Sequence, residues 1–344
     1  MNPVIWFTLM VSLTSSTIIT MSSNHWLLAW LGLELNTLSA LPMIIKTHHP
    51  RATEATTKYF LVQATAAAMI LLAGIMNTWQ TGQWHISHTT QIPALLTLAA
   101  IMLKLGLAPL HLWYPQVLQG VTMNTAMMIS TWQKIAPITL LYLTHHTLDH
   151  TLLLALGLTS ALVGGWAGLN QTQTRTILAF SSIAHMGWLL TAIALNPSLT
   201  TLTLVLYMTT TLATFTPTAT MTKTITDLGT TWPVSPPALT ATLITLLSLG
   251  GLPPLTGFMP KWLILKELSS TELALLATLI LLASLPSLFF YIRLAYLTML
   301  TAAPTTTNTE YKWRFKLVLP PHTALTTMIA TLALPLTMAL YTTT

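Results

Sequence analysis

Long apolar stretches separated by short polar or proline-containing segments run along almost the whole 344-residue chain. A transmembrane helix needs about 20 mostly apolar residues, and the pattern predicts about eleven such helices. Their predicted bounds are 3–21, 25–45, 58–77, 93–118, 123–143, 151–169, 176–195, 199–220, 238–264, 273–298 and 321–341. The longest polar stretches, 48–58, 221–237 and 301–319, are too short to build a core. The pattern therefore predicts an all-α polytopic membrane protein with a single membrane domain over residues 1–344.

Composition supports a membrane protein. Charged residues make up 6% of the chain, against about 25% in soluble domains, and the mean hydropathy is +0.68. A net charge of +6 is compatible with nucleic-acid binding. The chain has no basic run or aromatic-basic alternation, however, so no nucleic-acid partner is expected. The lack of cysteine excludes disulfides, thiolate metal sites and iron-sulfur ligation.

The loop charges predict an orientation. An odd number of crossings places the two termini on opposite sides, and the N-terminal side then holds eight loop Lys and Arg residues while the other side holds only Lys266. The eight are Lys46, Arg51, Lys58, Arg175, Lys223, Lys312, Arg314 and Lys316. By the positive-inside rule, the N-terminal side is the matrix or cytoplasmic face.

Two stretches 145 residues apart repeat one another. "PLHLWYPQVL" (109–118) and "PLTGFMPKWL" (254–263) share both prolines, an aromatic residue and two leucines, and "LKLG" and "LSLG" precede them. Proline removes a backbone donor and breaks a helix, and unpaired backbone at membrane depth survives only beside protein or a water-filled cavity. The pattern predicts two inverted five-helix repeats, 3–143 and 151–298, each with a discontinuous helix, followed by a C-terminal helix at 321–341. Such repeats are typical of a transport pathway, although single prolines in membrane helices often only kink them.

Four charged residues are predicted deep inside spans: Glu34, Lys104, Lys134 and Lys261. A charge at the bilayer centre costs about 2.5–3.5 kcal/mol on insertion scales, so these residues are candidates for proton transfer. Lysine suits this role because burial and a neighbouring carboxylate change its proton affinity in opposite directions. A purely structural ion pair is the alternative for Glu34 and Lys104.

The other lysines and Arg293 also have structural alternatives. Lys261 lies near the polar end of its span and is also compatible with snorkelling to the interface. Arg293 is close to the interface, and snorkelling is the favoured interpretation. Lys134 precedes Pro137 and is also suited to binding carbonyls freed by a kink.

Most of the eleven histidines lie in predicted loops and are interpreted as solvated. These are His48, His49, His85, His88, His145, His146 and His150. Only His111, in the first broken helix, and His185 are predicted at membrane depth. Neutral histidine is able to relay protons between lysines, and a hydrogen-bonded core histidine is the equal alternative.

Several motifs carry a family resemblance over essentially the whole chain. They are "MNP", "GLELN" with Glu34, "EATTKYFLVQA" with Lys58, "LKLGLAPLHLWYPQVLQG" with Lys104, "WQKIAP" with Lys134, "LAFSSIAHMGW" with His185 and "GGLPPLTGFMPKW" with Lys261. Together they resemble subunit 2 of mitochondrial NADH:ubiquinone oxidoreductase, respiratory complex I, in its vertebrate type. This type lacks three N-terminal helices found in bacterial relatives.

The resemblance implies an antiporter-like, proton-pumping subunit of the complex I membrane arm, in the mitochondrial inner membrane with its N-terminus in the matrix and its C-terminus in the intermembrane space. Glu34 and Lys104 would be the gating pair, Lys134 the central relay and Lys261 the lysine of the second half-channel, with His111 and His185 as further relay candidates. The chain would be part of an enzyme without holding a redox centre or cofactor itself, because NADH, FMN, the iron-sulfur clusters and ubiquinone would bind other subunits. Other membrane-arm and accessory subunits and lipids such as cardiolipin are the expected partners.

Three other functions remain open at the level of sequence. A stand-alone cation/proton antiporter shares the same repeats and charges, and a structural spacer would use the buried charges only to fix helix packing. A cytochrome b-like carrier is disfavoured because His111 and His185 have no paired histidines at depth.

Overall fold

A computed structural model of the chain describes residues 2–45, 49–219, 224–229, 235–302 and 322–336, together with residues 232, 339 and 341. This part contains fifteen α-helices and two isolated β-bridges, without a β-strand. The helices are α1 (Pro3–Ser22), α2 (Trp26–Ile45), α3 (Pro50–Thr81), α4 (Gln91–Leu105), α5 (Trp113–Gly120), α6 (Met123–Ser130), α7 (Trp132–Thr144), α8 (His150–Gly168), α9 (Thr174–Leu195), α10 (Pro197–Thr218), α11 (Ile225–Gly229), α12 (Pro236–Gly250), α13 (Phe258–Ser270), α14 (Ala274–Leu300) and α15 (His322–Leu332).

Seven of the described helices are long and apolar enough to cross a membrane: α1, α2, α3, α8, α9, α10 and α14. Shorter apolar helices include α4, α12 and α15. The predicted class, an all-α polytopic membrane protein, is confirmed. Six of the uninterrupted spans begin and end within two residues of their predicted bounds.

The chain forms two compact units, Met1–Leu156 and Gly157–Thr344, and the division falls within α8. In the first unit α3 packs against α2, α4 and α5, and α1 packs against α2. In the second unit α10 packs against α9, α12 and α15. An apolar cluster that includes Leu246, Leu249, Phe290 and Leu294 holds α12 to α14.

Hydroxyl side chains fit these apolar helices because most of them bond to their own helix. The Thr210 hydroxyl donates to the Leu206 carbonyl at 2.8 Å, and the Thr211 hydroxyl donates to the Tyr207 carbonyl at 2.8 Å. Such bonds satisfy the hydroxyl without a second helix. The many threonines are therefore compatible with membrane-spanning helices.

Small residues bring α8 and α9 close together. A Cβ added to Gly164 would lie 2.5 Å from the backbone nitrogen of Ala184, and one added to Gly187 would lie 2.6 Å from the carbonyl oxygen of Gly157. Close approach of backbones at glycine is the usual packing of membrane helices, where dispersion replaces the hydrophobic effect.

The third span is longer than predicted. The sequence pattern places it at 58–77, whereas α3 also includes most of the preceding polar stretch. Pro50 stands in the first turn, the side chain of His49 caps the helix, and the Glu54 carboxylate pairs with the Lys58 ammonium at 2.6 Å. These are local helix-start signals, so this polar stretch is helical rather than a loop.

The fifth span, predicted as 123–143, is interrupted at Thr131 and forms α6 and α7. Pro137 lies inside α7, where it has no N–H to donate to the Gln133 carbonyl one turn earlier, whereas the interruption lies at Thr131, with φ −112° and ψ −75°. The turn is tight at the interruption, since the N–H of Lys134 donates to the Thr131 carbonyl at 3.2 Å.

Two further predicted spans end elsewhere. The ninth, 238–264, continues to the end of α13 at Ser270. In the last, 321–341, α15 ends at Leu332 and a 3₁₀ turn, Leu334–Leu336, follows, whereas residues 337, 338 and 340 lie outside the described residues. Six residues of the sequence predictions lie outside the described residues: Lys46, His48, Lys223, Lys312, Arg314 and Lys316.

Candidate functional site

The fourth predicted span is broken between α4 and α5, as the sequence predicts. Gly106 ends α4 with φ 69°, and its N–H donates to the carbonyls of Met102 and Leu103. The N–H of Leu107 donates to the Met102 carbonyl at 3.0 Å, which completes a Schellman-type end. A Cβ at Gly106 would lie 2.9 Å from the Cβ of Tyr114, so the position requires glycine both for its φ and for its space.

The second break, between α12 and α13, repeats this geometry. Gly251 has φ 82°, and its N–H donates to the carbonyls of Leu247 and Ser248. The N–H of Leu252 donates to the Leu247 carbonyl at 3.4 Å. Each of these residues lies 145 positions after its counterpart in the first break. The sequence repeat is therefore also a repeat of backbone structure.

Lys104 and Lys134 line one cavity of about 10 Å³ in the first unit. This volume corresponds to about one water molecule. Tyr59, Gln63 and Gln133 contribute polar groups to its wall, and the Tyr59 hydroxyl donates to Gln133 Oε1 at 3.4 Å. The structure thus brings two of the sequence-predicted lysines together in a polar, enclosed space.

Lys104 and Glu34 are close to the same region but do not form a direct ion pair. Lys104 is 6% exposed, and its Nζ and the Glu34 Oε2 are buried without a hydrogen-bond partner. No ion pair within 4.0 Å joins the described side chains of Glu34 and Lys104, so their charged atoms are farther apart than that. Leu33 and Asn36 of α2 line the cavity of Lys104, but Glu34 itself does not.

Lys134 lies in the first turn of α7, immediately after the Thr131 interruption, and is 2% exposed. Its Nζ lies 5.0 Å from the centroid of the Tyr114 ring, a cation–π distance. Tyr114 is also the residue that Gly106 accommodates at the first break. The break between α4 and α5 and the environment of Lys134 are therefore joined through one aromatic ring.

Lys261 and His185 line a second cavity, of about 30 Å³, in the second unit. Lys261 is 9% exposed, and its Nζ donates to the Gly250 carbonyl at 2.9 Å, at the second break. The Tyr291 hydroxyl lies 3.3 Å from His185 Nε2, within hydrogen-bond distance. Lys261 is therefore buried against the broken backbone.

Both breaks and all four of the candidate charged residues fall in one family match. Residues 23–287 match the model of the NADH:quinone oxidoreductase/Mrp antiporter transmembrane family. The chain belongs to this antiporter family. Residues 288–341, which include α15, match a second model, the NADH dehydrogenase subunit 2 C-terminus.

Vertebrate relatives of the antiporter family resemble the chain over most of its length. NADH-ubiquinone oxidoreductase chain 2 of Carassius auratus is 53% identical over 316 residues, 91% of both chains. The protein of the same name from Gallus gallus is 51% identical over 338 residues, 98% of both. These relatives confirm the resemblance inferred from the sequence motifs.

Solved structures share the fold of the antiporter family. A chain of respiratory complex I from Thermus thermophilus with bound aureothin aligns with a TM-score of 0.83 and 25% identity over 99% of this chain and 78% of that one. A chain of the Mrp complex from Dietzia aligns with a TM-score of 0.77 and 17% identity over 88% and 62% of the two chains. The second likeness shows the fold alone.

The site candidate His111 and the predicted interfacial residue Arg293 line neither the cavity of Lys104 and Lys134 nor that of Lys261 and His185. His111 stands in the first break, is half-buried and has an unpartnered, buried Nδ1, but it does not line the cavity of Lys104 and Lys134. Arg293 Nη1 donates to the Leu169 carbonyl at 2.6 Å, just after the C-terminus of α8. The Leu169 carbonyl therefore gives the Arg293 guanidinium a hydrogen-bond partner within the fold. The relay role of His111 stays a prediction.

Sequence reasoning missed the aromatic and amide residues that surround the lysines. Tyr59 and Gln63 lie four residues apart on α3 and therefore on one face. Trp113 Nε1 donates to the Leu103 carbonyl at 3.1 Å, and Gln63 Nε2 donates to the Lys104 carbonyl at 3.4 Å, so both satisfy backbone at the first break. The helical spacing of Tyr59 and Gln63 was the available signal.

Proposed function

We propose that the chain is a proton-translocating, antiporter-like core subunit of the membrane arm of respiratory complex I. The observation that carries the proposal is that the same helix break occurs twice, each time beside a buried lysine that lines an internal cavity. Family membership and the names of the vertebrate relatives support the assignment to this complex.

The chemistry follows from burial. A lysine enclosed in a low-dielectric space holds its proton weakly unless a counter-charge approaches. Glu34 and Lys104 form no ion pair within 4.0 Å, so a movement that brings the carboxylate closer makes Lys104 hold its proton more firmly. Each proton moved against the membrane potential costs about 2.3 kcal/mol per 100 mV, and quinone reduction elsewhere in the complex would supply that energy.

The proposed roles follow the two units. Glu34 and Lys104 form the gate, Lys134 is the central relay of the first unit, and Lys261 with His185 forms the proton site of the second unit. The shared cavity supports pairing Lys104 with Lys134, and the second cavity supports pairing Lys261 with His185. His111 is a further relay candidate at the first break.

The assembly and location belong to the same proposal. The chain is a multi-pass protein of the mitochondrial inner membrane with its N-terminus in the matrix, as the loop charges predict. Its partners are other membrane-arm and accessory subunits of complex I and lipids such as cardiolipin, and NADH, FMN, the iron-sulfur clusters and ubiquinone bind elsewhere in the complex. Exposed apolar side chains along the described helices, such as Phe7, Ile18 and Leu282, suit contact with lipid or neighbouring subunits.

Lysine-to-methionine variants in the assembled complex test the function. We expect Lys104→Met and Lys261→Met to lower proton uptake into sealed vesicles by about a hundredfold, since a positioned proton carrier contributes about 10²–10⁴-fold. The matched controls are Lys58→Met and Lys266→Met, because both lysines are exposed. NADH oxidation with ferricyanide, which does not need the membrane arm, should be unchanged in all four variants.

Normal pumping by both Lys104→Met and Lys261→Met would contradict the proposal and favour a structural spacer. Purified single chains in liposomes provide the second comparison. Exchange of a cation for protons driven by a pH gradient would instead support a stand-alone antiporter.

A further inference from the structure

The carboxyl-terminal helix α15 reaches the second break through one carbonyl group. Ala330 is in the last turn of α15, and the last four carbonyls of a helix have no partner within it. The hydroxyl of Ser248, at the end of α12, donates to the Ala330 carbonyl at 2.8 Å, and the hydroxyl of Thr256, in the break, donates to the same oxygen. All three residues are 0% exposed.

These two hydroxyl bonds differ from those of the neighbouring residues. Thr242 and Thr245, also on α12, donate to carbonyls of their own helix at 2.7 and 3.0 Å. Ser248 and Thr256 instead donate to a different helix. Ser248 lies in the last turn of α12, and Thr256 lies between α12 and α13. The pair therefore ties both sides of the break to α15.

The hydroxyls of Ser248 and Thr256 flank the backbone segment that binds Lys261. Ser248 Oγ accepts from the N–H of Gly257 at 3.3 Å, which holds the two sides of the break together. Between them stand Gly250, whose carbonyl accepts from Lys261 Nζ at 2.9 Å, and Gly251, where a Cβ would lie 2.9 Å from that Nζ. A shift of the break would move the acceptor that fixes Lys261.

The first break lacks this connection. The positions 145 residues earlier are Leu103 and His111, and Leu103 has no side-chain hydroxyl. There Trp113 and Gln63 satisfy the backbone instead. The contact with α15 is thus a feature of the second break and not of the repeat as such.

We infer that α15 positions Lys261 for proton transfer, through the Ala330 carbonyl and the hydroxyls of Ser248 and Thr256. The inference rests on the proposed function. Ser248 and Thr256 fall within the match to the antiporter family, 23–287, whereas α15 falls within the match to the subunit 2 C-terminus, 288–341. A helix in the part that matches the subunit 2 C-terminus therefore sets the geometry of a site in the antiporter-family part of the chain, and Ser248, Thr256 and Ala330 are positioning residues.

Hydroxyl-deleting variants in the assembled complex test the inference. We expect Ser248→Ala with Thr256→Val to lower proton-coupled ubiquinone reduction about 25-fold, because the double variant loses two buried hydrogen bonds to Ala330 and each corresponds to about a factor of five. Thr256→Ser keeps the hydroxyl and should retain the rate. Thr327→Val is the matched control, since the Thr327 hydroxyl donates to Ala324 within α15.

The pH dependence separates positioning from general stability. Thr256→Val should shift the pH profile of turnover, whereas Thr256→Ser and Thr327→Val should leave the profile unchanged at equal amounts of assembled complex. If the double variant has a normal rate and pH profile while Lys261→Met does not pump, the inference about α15 is overturned and the proposed role of Lys261 stands. Normal pumping by Lys261→Met would overturn the proposed role of Lys261 itself. Loss of assembly in every hydroxyl-deleting variant, single or double, would make the contact structural and also overturn the inference.

Discussion

Gly106→Ala, compared with Gly82→Ala, isolates the geometry of the first break. Both glycines end helices with positive φ, 69° and 73°, so a side chain at either position costs about 1–2 kcal/mol in backbone strain. They differ in space: a Cβ at Gly106 would lie 2.9 Å from the Cβ of Tyr114, whereas a Cβ at Gly82 meets nothing within 4 Å.

The difference in free energy comes from Tyr114. Tyr114 is 1% exposed and its Cβ is close to the backbone, so the contact is relieved only by moving α5. Overpacking of this kind costs about 1–3 kcal/mol. The total is then about 2–5 kcal/mol for Gly106→Ala, against about 1–2 kcal/mol for Gly82→Ala.

Thermal stability of the assembled complex is the assay. The fraction of assembled complex that survives a series of heating steps, read on native gels, should fall at a lower temperature for Gly106→Ala than for Gly82→Ala. Turnover should fall as well, because the Tyr114 ring that is displaced lies 5.0 Å from Lys134 Nζ. Equal stability and equal turnover in the two variants would refute the reasoning.

Three further substitutions have defined outcomes. Trp113→Phe removes one of two donors to the Leu103 carbonyl, the other being the N–H of Gly106, and should lower thermal stability by about 0.5–1.5 kcal/mol, the net worth of one hydrogen bond; unchanged stability would contradict the role of this bond. Tyr291→Phe keeps the ring but loses the hydroxyl 3.3 Å from His185 Nε2, so the pH profile of turnover should shift at constant assembly, and a superimposable profile would count against a titrating His185. Lys58→Met breaks an ion pair whose Lys58 side chain is 40% exposed, so stability should change by less than about 1 kcal/mol; a larger loss would show that the pair is not a surface interaction.

The broken helices were predictable from sequence because their cause is local. Proline and glycine act on the backbone within one turn, and the same letters recur 145 positions later, from Pro109 to Pro254. The interruption at Thr131 does not recur in the second half, where α14 is continuous from Ala274 to Leu300, and the sequence pattern alone indicated one continuous span. The early start of α3 was missed because the charged residues near Lys58 give this segment the low hydropathy that is typical of a loop. The same residues stabilise the first turns of the helix.

The residues around the candidate sites were only partly predictable. Buried charge is rare enough in a membrane span to single out Lys104 and Lys261 from composition. Thr256 was indistinguishable from the many other threonines, because its partner, Ala330, is 74 residues away and contributes only a backbone carbonyl. A contact of this kind depends on tertiary packing, and no side-chain pattern in the sequence encodes it.

The central claim is that Lys104 binds and releases a proton and is not merely a fixed positive charge. Lys104→Arg separates the two, because guanidinium keeps its charge and does not deprotonate in proteins. The decisive measurement is the number of protons translocated per NADH oxidised by the assembled Lys104→Arg complex in sealed vesicles. The account predicts that pumping is lost as in Lys104→Met, and full pumping by the arginine variant would contradict it.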